Sequence, residues 1–171
     1  AFHLQPENIT STLHMNKIQS LNNVIYRKFR KFYNKFTHVH CPSNMIADQL
    51  KQHGYTANLH VISNGVSSFF QKKEVAKPQA LQDKYIILMI GRYSVEKRQD
   101  LIIEAIANSK YESKIQIILA GQGPWKGHLE ALGAKLTNPP IFGFYNADEL
   151  LEVINYSDLY VHASDAEIEA I

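Results

Sequence analysis

The sequence predicts an α/β protein whose main sheet is parallel and lies in the C-terminal half of the chain. From Tyr85 onward, short apolar runs alternate with helical patterns, an order typical of right-handed βαβ units. The first apolar run is followed by a glycine and two cations, Gly91, Arg92 and Lys97. Ligands of open α/β sheets bind at the carboxyl ends of strands. We therefore expect a Rossmann-like sheet with a binding site at that edge.

The N-terminal part of the chain predicts a smaller set of elements. Residues 2–8 indicate a strand end that runs into a loop, because Pro6 halts regular structure and Asn8 favours turns. Apolar residues recur at spacings of three or four from Lys17 to Phe36, which predicts a helix with most of its cations on the opposite face. The elements expected next are a strand over 37–41, a helix over 43–53 and a strand over 59–62.

A polar stretch without periodicity, residues 71–84, predicts a linker between two domains, 1–70 and 85–171. Beyond it the pattern alternates strand with helix. The expected elements are strand 85–90, helix 100–108, strand 115–120, helix 125–132, strand 141–144, helix 147–155 and strand 159–161.

Composition indicates how large a hydrophobic core the chain can bury and which cellular compartment it fits. The chain has 171 residues and 45% hydrophobic content, enough to bury one substantial core or two smaller ones. Its single cysteine, Cys41, excludes an intrachain disulfide and fits a reducing compartment. No apolar run approaches the roughly 18 residues that cross a bilayer. We expect a cytoplasmic protein whose membrane contact, where there is any, is peripheral.

The net charge of +2 is small, but its distribution is uneven. No acidic residue stands between Asn8 and Ala47, and this stretch contains Lys17, Arg27, Lys28, Arg30, Lys31 and Lys35. The basic helix, Lys17–Lys35, is either a solvated face or a surface that docks on anionic lipid. Nucleic acid is not expected as a partner, because no recognised nucleic-acid module accompanies these cations.

The cations after the first strand of the C-terminal half suit a diphosphate. Arg92 offers a planar fork of donors and Lys97 a compact point charge, which together fit two phosphate groups. The ligand we expect is a nucleotide diphosphate that carries a further group. Ordinary surface cations are the alternative interpretation.

Residues 91–105 read Gly-Arg-x-Ser-x-Glu-Lys, followed by Asp, Leu-Ile and Ala. This pattern resembles the donor-site signature of retaining glycosyltransferases of the GT-B class, family 4. Further segments agree with that family in order and spacing, namely 61–66, 117–124, 141–150 and 163–167. The resemblance implies a GT-B-type C-terminal donor domain preceded by the tail of an N-terminal acceptor domain. Because the chain starts at Ala1 and stops at Ile171 inside a predicted helix, we expect a fragment with a truncated donor domain.

The resemblance assigns roles to residues in this sequence. In the family, the residues that match Arg92 and Lys97, preceded by Gly91, bind the donor diphosphate and stabilise the charge that grows on it as the sugar departs. It also implies that the backbone near 141–142, at Ile141 and Phe142, contacts the nucleotide base. The turn at Gly121 and Gly123 brings amides near an anion or is a plain strand-to-helix turn.

Two further candidates follow from the resemblance. Glu167 matches the first Glu of an E-x7-E motif that contacts the donor sugar in the family. The family commonly continues with Gly-Phe-Gly, whereas this chain has Ile168-Glu169-Ala170, and Glu169 is the alternative motif residue. His3 lies where the acceptor and the donor sugar meet in the family, and a structural or surface histidine is the other interpretation.

The resemblance implies transfer of a sugar from a nucleotide diphosphate sugar to a glycan or lipid-linked acceptor, with retention of configuration. No Asp-x-Asp pair, the usual metal-holding motif of metal-dependent glycosyltransferases, is present. We therefore expect neither a metal nor another cofactor. The alternatives are a nucleotide-sugar epimerase or phosphorylase of the same fold, and a non-catalytic nucleotide-binding or membrane-scaffold module.

Overall fold

The computed structural model describes residues 1–2, 5–11 and 18–165, apart from the side chains of Asn8 and Ser11. The described chain forms two units, residues 1–67 and Ser68–Asp165.

Within its described residues, the first unit combines three helices with a two-stranded parallel sheet. Its elements are α1 (Pro6–Ser11), α2 (Gln19–Tyr33), β1 (His38–Cys41), α3 (Asn44–Gln52) and β2 (Asn58–Val61). The strands pair in register from His38 opposite Asn58 to Cys41 opposite Val61. The core contains Phe2, Tyr26, Val39, Cys41, Ile46, Ala47, Leu50 and Tyr55. Burial raises the pKa of the Cys41 thiol.

Helix α1 corrects the loop expected over residues 2–8. Phe2 does lie beside β1, where its N–H donates to His40 O at 2.8 Å. At Pro6, however, a helix begins. A proline fits the first helical position, because its missing N–H would have no intrahelical partner there.

Helix α2 buries only part of the face expected, at Phe29, together with residues that the apolar spacing did not mark. Its inward residues are Asn22, Tyr26, Phe29 and Tyr33. Exposed apolar residues, which the spacing placed inward, are Ile18, Phe32 and Phe36, at 43%, 55% and 49% exposure. The buried amide of Asn22 is tolerated because its Oδ1 accepts a hydrogen bond from Thr10 Oγ1 at 2.8 Å. The solvent face therefore carries aromatic rings together with cations.

The second unit is the α/β sheet that the alternation predicts. Its elements are β3 (Tyr85–Ile90), α4 (Gln99–Ala107), β4 (Ile115–Ala120), α5 (Lys126–Gly133), β5 (Ile141–Gly143), α6 (Ala147–Tyr156) and β6 (Leu159–Tyr160). All pairings are parallel and the strand order is β5-β4-β3-β6. Helices cover both faces, since Met89 packs in one core cluster with Ile103, and Leu88 in the other with Val153.

The direction of winding reverses at β3. From β3 the chain moves to β4 and β5 on one side, and it then returns to place β6 on the other side. The carboxyl ends of β3 and β6 therefore flank a topological switch point, where open α/β sheets bind ligands.

The segment expected as a linker contacts the second unit. Lys73 N donates to Asn155 Oδ1 at 2.7 Å, and Lys77 Nζ lies 2.6 Å from Asp158 Oδ2. Burial raises the pKa of Asp158, but hydrogen bonds from Ile86 N–H and Lys77 outweigh it and leave the pKa lowered. The domain ranges drawn from the sequence stay predictions.

Candidate functional site

The loop after β3 places the predicted cations at the edge of the sheet. Gly91 follows β3, donates its N–H to Ala120 O at 2.9 Å and has a φ of +156°. This value is one that L side chains rarely adopt, which explains the glycine. A short 3-10 turn, Val95–Lys97, closes the loop before α4 begins at Gln99. Gly91, Arg92 and Lys97 therefore lie beside the switch point.

Arg92 is oriented by a carboxylate from its own loop. Its Nη2 donates to Glu96 Oε1 at 3.0 Å, and the side chains are 67% and 12% exposed respectively. Burial raises the pKa of Glu96, but hydrogen bonds from Ser94, its own backbone and Arg92 outweigh that effect. The pKa of Glu96 is therefore lower than its ordinary value. Because a guanidinium carries five N–H donors, this ion pair orients Arg92 and leaves donors for a phosphate.

Lys97 lies over Gly91. A Cβ built on the glycine would be 3.7 Å from Lys97 Cδ and 3.9 Å from Cε. The aliphatic stem of Lys97 therefore packs beside the glycine, and the half-buried lysine belongs to the same loop as Arg92. The structure thus brings together the three residues predicted to hold a diphosphate.

Gly121 and Gly123 let the loops after β3 and β4 approach closely. A Cβ at Gly121 would overlap Gly91 O, and one at Gly123 would overlap the backbone of Tyr93. The N–H of Gly121 already donates to Gly143 O at 2.7 Å. This geometry favours a strand-to-helix turn over direct anion binding at Gly121.

A cavity of about 390 Å³ lies at the carboxyl ends of β3 and β4, within the usual size range of small-molecule sites. Gly91, Arg92 and Gly121 line it, with Phe144 and Tyr145 as aromatic walls. A neighbouring hollow of about 440 Å³ shares Gly121 and Phe144 and adds Lys126 and Phe142. Adjacent hollows of this kind suit a ligand with several chemical parts.

The predicted base-contact residues differ in position. Phe142 lines the second hollow. Its ring lies edge-on to the ring of Tyr93, with the two centroids 5.7 Å apart, and Lys126 Nζ is 5.8 Å from the Phe142 centroid. Ile141 instead packs against the core beneath the sheet. Within the described sheet β5 is an edge strand, so part of its backbone polar groups face away from β4.

Tyr93 supports the site, and sequence reasoning missed it. It is 1% exposed, and its hydroxyl donates to Leu119 O at 2.7 Å. Burial raises the Tyr93 pKa to about 12, so the hydroxyl stays protonated.

Gln99 was also missed. It is 1% exposed and donates through Nε2 to Arg92 O at 2.9 Å. Tyr93 lies within the 91–97 motif and Gln99 lies two residues after it, so the motif was the sequence signal that could have identified both.

His3 and Glu167 lie outside the described residues. No group of three or more His, Cys, Asp or Glu side chains in residues 1–2, 5–11 and 18–165 is arranged to hold a metal ion. In the same part of the chain, no helix is both long enough and apolar enough to cross a membrane.

Comparison with known proteins decides the family. A family model described as glycosyl transferases group 1 matches residues 70–171, and one described as glycosyltransferase family 4 matches residues 3–68. The chain belongs to the glycosyl transferases group 1 family. No curated protein matches this chain.

The chain is similar to several solved structures, and those of the Anabaena and E. coli proteins agree with the family in fold. Anabaena Alr3699/HepE in complex with UDP-glucose is 21% identical with a TM-score of 0.70, covering 85% of this chain and 43% of that chain. An E. coli structure described as trehalose-6-phosphate bound with UDP-2-fluoro glucose is 10% identical with a TM-score of 0.67, covering 91% and 45%. The catalytic domain of cholesterol-alpha-glucosyltransferase from Helicobacter pylori is 41% identical with a TM-score of 0.43, covering 47% and 51%.

The chain spans 43% to 51% of the length of these three solved chains. The predicted family and the α/β GT-B-type fold are confirmed. The roles of individual site residues stay predictions.

Proposed function

We propose that the site formed by Gly91, Arg92 and Lys97, beside the cavity that Gly91 and Arg92 line, binds the diphosphate of a nucleotide diphosphate sugar. In this proposal the full-length protein transfers the sugar to a glycan or lipid-linked acceptor with retention of configuration. The observation that carries the proposal is the placement of both cations beside Gly91 at the carboxyl end of β3. The UDP-sugar complexes of the Anabaena and E. coli proteins support a nucleotide sugar as the ligand.

The chemistry follows from how charge moves in the reaction. As the bond to the sugar breaks, negative charge grows on the nucleotide diphosphate, and fixed cations lower the barrier if their contacts strengthen in the transition state. Arg92 is held by Glu96, and Lys97 is packed on Gly91. Both cations are therefore positioned before the donor binds. Loss of one such donor typically costs two to three powers of ten in rate.

Roles outside the described residues belong to the same proposal. In this proposal Glu167 contacts the donor sugar, and His3 acts where the acceptor and the donor sugar meet. Arg92 and Lys97 together neutralise the diphosphate, so no metal or other cofactor takes part. The donor phosphate accepts the proton of the incoming hydroxyl.

We also propose that α2 rests on an anionic membrane surface. Lys28 and Lys31 are exposed on this helix, and Phe32 on the same helix is 55% exposed. Cations attract anionic headgroups while exposed aromatic rings insert at the interface. The cytoplasmic leaflet carries such lipids, so the location that fits is cytoplasmic and peripheral.

The test is a donor screen with the full-length protein. Uridine, guanosine and adenosine diphosphate sugars are incubated with glycan and lipid acceptors, and released nucleoside diphosphate and product anomer are measured. Acceptor-dependent release, with the donor's anomeric configuration kept, is expected. Isomerised donor without release would indicate an epimerase, and phosphate-dependent release a phosphorylase. Binding without turnover would indicate a non-catalytic module.

A further inference from the structure

Arg98 has an unusual backbone conformation. Among the described residues it is the single non-glycine residue with a positive φ, at φ 55° and ψ 37°. A long side chain in the left-handed region is uncommon, and such residues concentrate at functional sites. Arg98 directly follows Lys97, the predicted phosphate ligand. This position suggests that the Arg98 side chain has a task that glycine could not perform.

The side chain of Arg98 joins two loops. Its Nε lies 3.2 Å from Asp100 Oδ1, and its Nη1 lies 3.4 Å from Asp165 Oδ2. Asp165 belongs to the segment after β6, and its N–H donates to Glu96 O at 2.9 Å. An ion pair and a backbone hydrogen bond therefore attach the segment after β6 to the loop that carries Arg92 and Lys97.

Two buried polar atoms mark the same place. Among the described residues, Gln99 Oε1 and Ser164 Oγ are buried and have no hydrogen-bond partner. Gln99 follows Arg98, and Ser164 precedes Asp165. Buried polar groups are normally paired, and unpaired ones are commonly associated with function. An unpaired buried polar atom therefore lies on each of the two joined segments.

The strand order indicates which part of the donor nucleotide sugar lies near Arg98 and Asp165. A diphosphate at Gly91 sits over the central strand β3, with β4 and β5 on one side and β6 on the other. The base is predicted at β5, near Phe142. The group on the other end of the diphosphate then extends toward β6, which is the side that Arg98 and Asp165 hold.

We propose that Arg98 is a positioning residue, which fixes the segment after β6 against the phosphate loop and so sets where the donor sugar lies. The inference rests on the proposed donor site, but it concerns sugar placement rather than diphosphate affinity. Arg98 and Asp165 act on the sugar through the position of the segment that follows β6.

The experiment uses the full-length enzyme and the variants Arg98→Gly, Asp165→Ala and their combination. Glycine fits the left-handed conformation, so Arg98→Gly keeps the fold while removing the ion pairs with Asp100 and Asp165. Asp100→Asn removes the charge of the other ion-pair partner of Arg98 but keeps an oxygen that accepts its hydrogen bonds. Lys110→Gln, beyond the C-terminal end of α4, is the control for charge loss.

Three quantities are measured in each variant. They are hydrogen exchange over residues 161–165, the Kd of uridine, guanosine and adenosine diphosphates, and kcat with the corresponding glucose nucleotides.

We expect faster exchange and a kcat lower by about fivefold or more in Arg98→Gly and Asp165→Ala. Nucleoside diphosphate Kd should stay within about twofold. The double variant should be no worse than Arg98→Gly, because both single changes remove the ion pair between Arg98 and Asp165. Asp100→Asn and Lys110→Gln should resemble the wild type.

The inference is overturned if Arg98→Gly and Asp165→Ala both show the hydrogen exchange or the kcat of the wild type. It is also overturned if the effects of the two changes on kcat add in the double variant, or if affinity for the nucleoside diphosphate falls as much as kcat does. Each of these results leaves the donor site itself standing if the wild type binds a nucleoside diphosphate. A wild type that binds none of the three diphosphates refutes the donor site, and the positioning role fails with it.

Discussion

Arg92 and Lys97 are held in different ways, and that difference determines what each substitution should do. Arg92 depends on Glu96 for its orientation, whereas Lys97 depends on packing against Gly91. Both cations were readable from the sequence because they follow an apolar strand at short spacing. The structural role of Tyr93 in the same loop was not, since its hydroxyl donates to Leu119 O, 26 positions along the chain.

Replacing either cation should lower transition-state stabilisation. In the full-length enzyme, Arg92→Ala and Lys97→Ala should each reduce kcat/KM by at least about tenfold, or about 1.4 kcal/mol. Arg92→Lys keeps the charge but loses the planar fork, so an intermediate loss is expected. Steady-state kinetics with the best donor measure this. Near-native kinetics in both alanine variants would contradict the phosphate role.

Glu96 should make stability depend on acid pH. Its pKa is lower folded than unfolded, so the unfolded state binds more protons as the pH falls below about 4.3, the ordinary glutamate value. The contribution of Glu96 is present above that pH and is lost as the pH falls through its lowered pKa. Urea denaturation from pH 7 to pH 3 should show a shallower decline in Glu96→Gln than in the wild type. Equal slopes would show that Glu96 carries no such linkage.

At the scale of elements, strands were easier to predict than helix faces. The strands 85–90 and 115–120 coincide with β3 and β4, because a parallel strand buried on both faces is a continuous apolar run. The buried face of α2 was mistaken because tertiary packing selects Asn22 and Tyr26, which hydropathy alone does not mark. Helix α1 was missed because Pro6 both ends regular structure and begins helices.

The close approach of the loops after β3 and β4 predicts which glycines cannot be replaced. Gly121→Ala and Gly123→Ala place a Cβ against backbone atoms, so each should destabilise the fold by at least about 2 kcal/mol. Gly127 in α5 is the matched control, because its Cβ would meet nothing within 4 Å. Gly127→Ala should stabilise by up to about 1 kcal/mol. Thermal unfolding measures all three, and equal effects would rule out the close contact as the cause.

At the scale of the whole molecule, the order of elements and the family were predictable, because each strand, helix and motif agrees with the same architecture. Among the properties of the described chain as a whole, the distribution of positive charge points to a partner. This positive charge is concentrated on α2 and the residues just after it, in the first unit.

The membrane proposal predicts that binding to vesicles requires the exposed cations of α2 and the residues after it. The variant Arg27→Gln, Lys28→Gln, Lys31→Gln and Lys35→Gln should lose most binding to anionic vesicles, because each cation near the surface contributes about 1 kcal/mol. Arg30 is left unchanged, because its Nη1 donates to His53 O at 3.0 Å and its loss would disturb packing. Four exposed lysines of the second unit, Lys72, Lys110, Lys114 and Lys135, changed together to Gln, are the control with equal charge loss.

Co-sedimentation of the full-length protein with neutral and anionic vesicles measures the effect. Binding should require anionic lipid and should weaken as added salt shortens the screening length from about 10 Å at 0.1 M to about 3 Å at 1 M. Replacing Phe32 and Phe36 by Ala should weaken the salt-resistant part, because their exposed rings supply the apolar contact. If the α2 variant and the lysine control lose binding equally, attraction is a matter of net charge and α2 is only a solvated face.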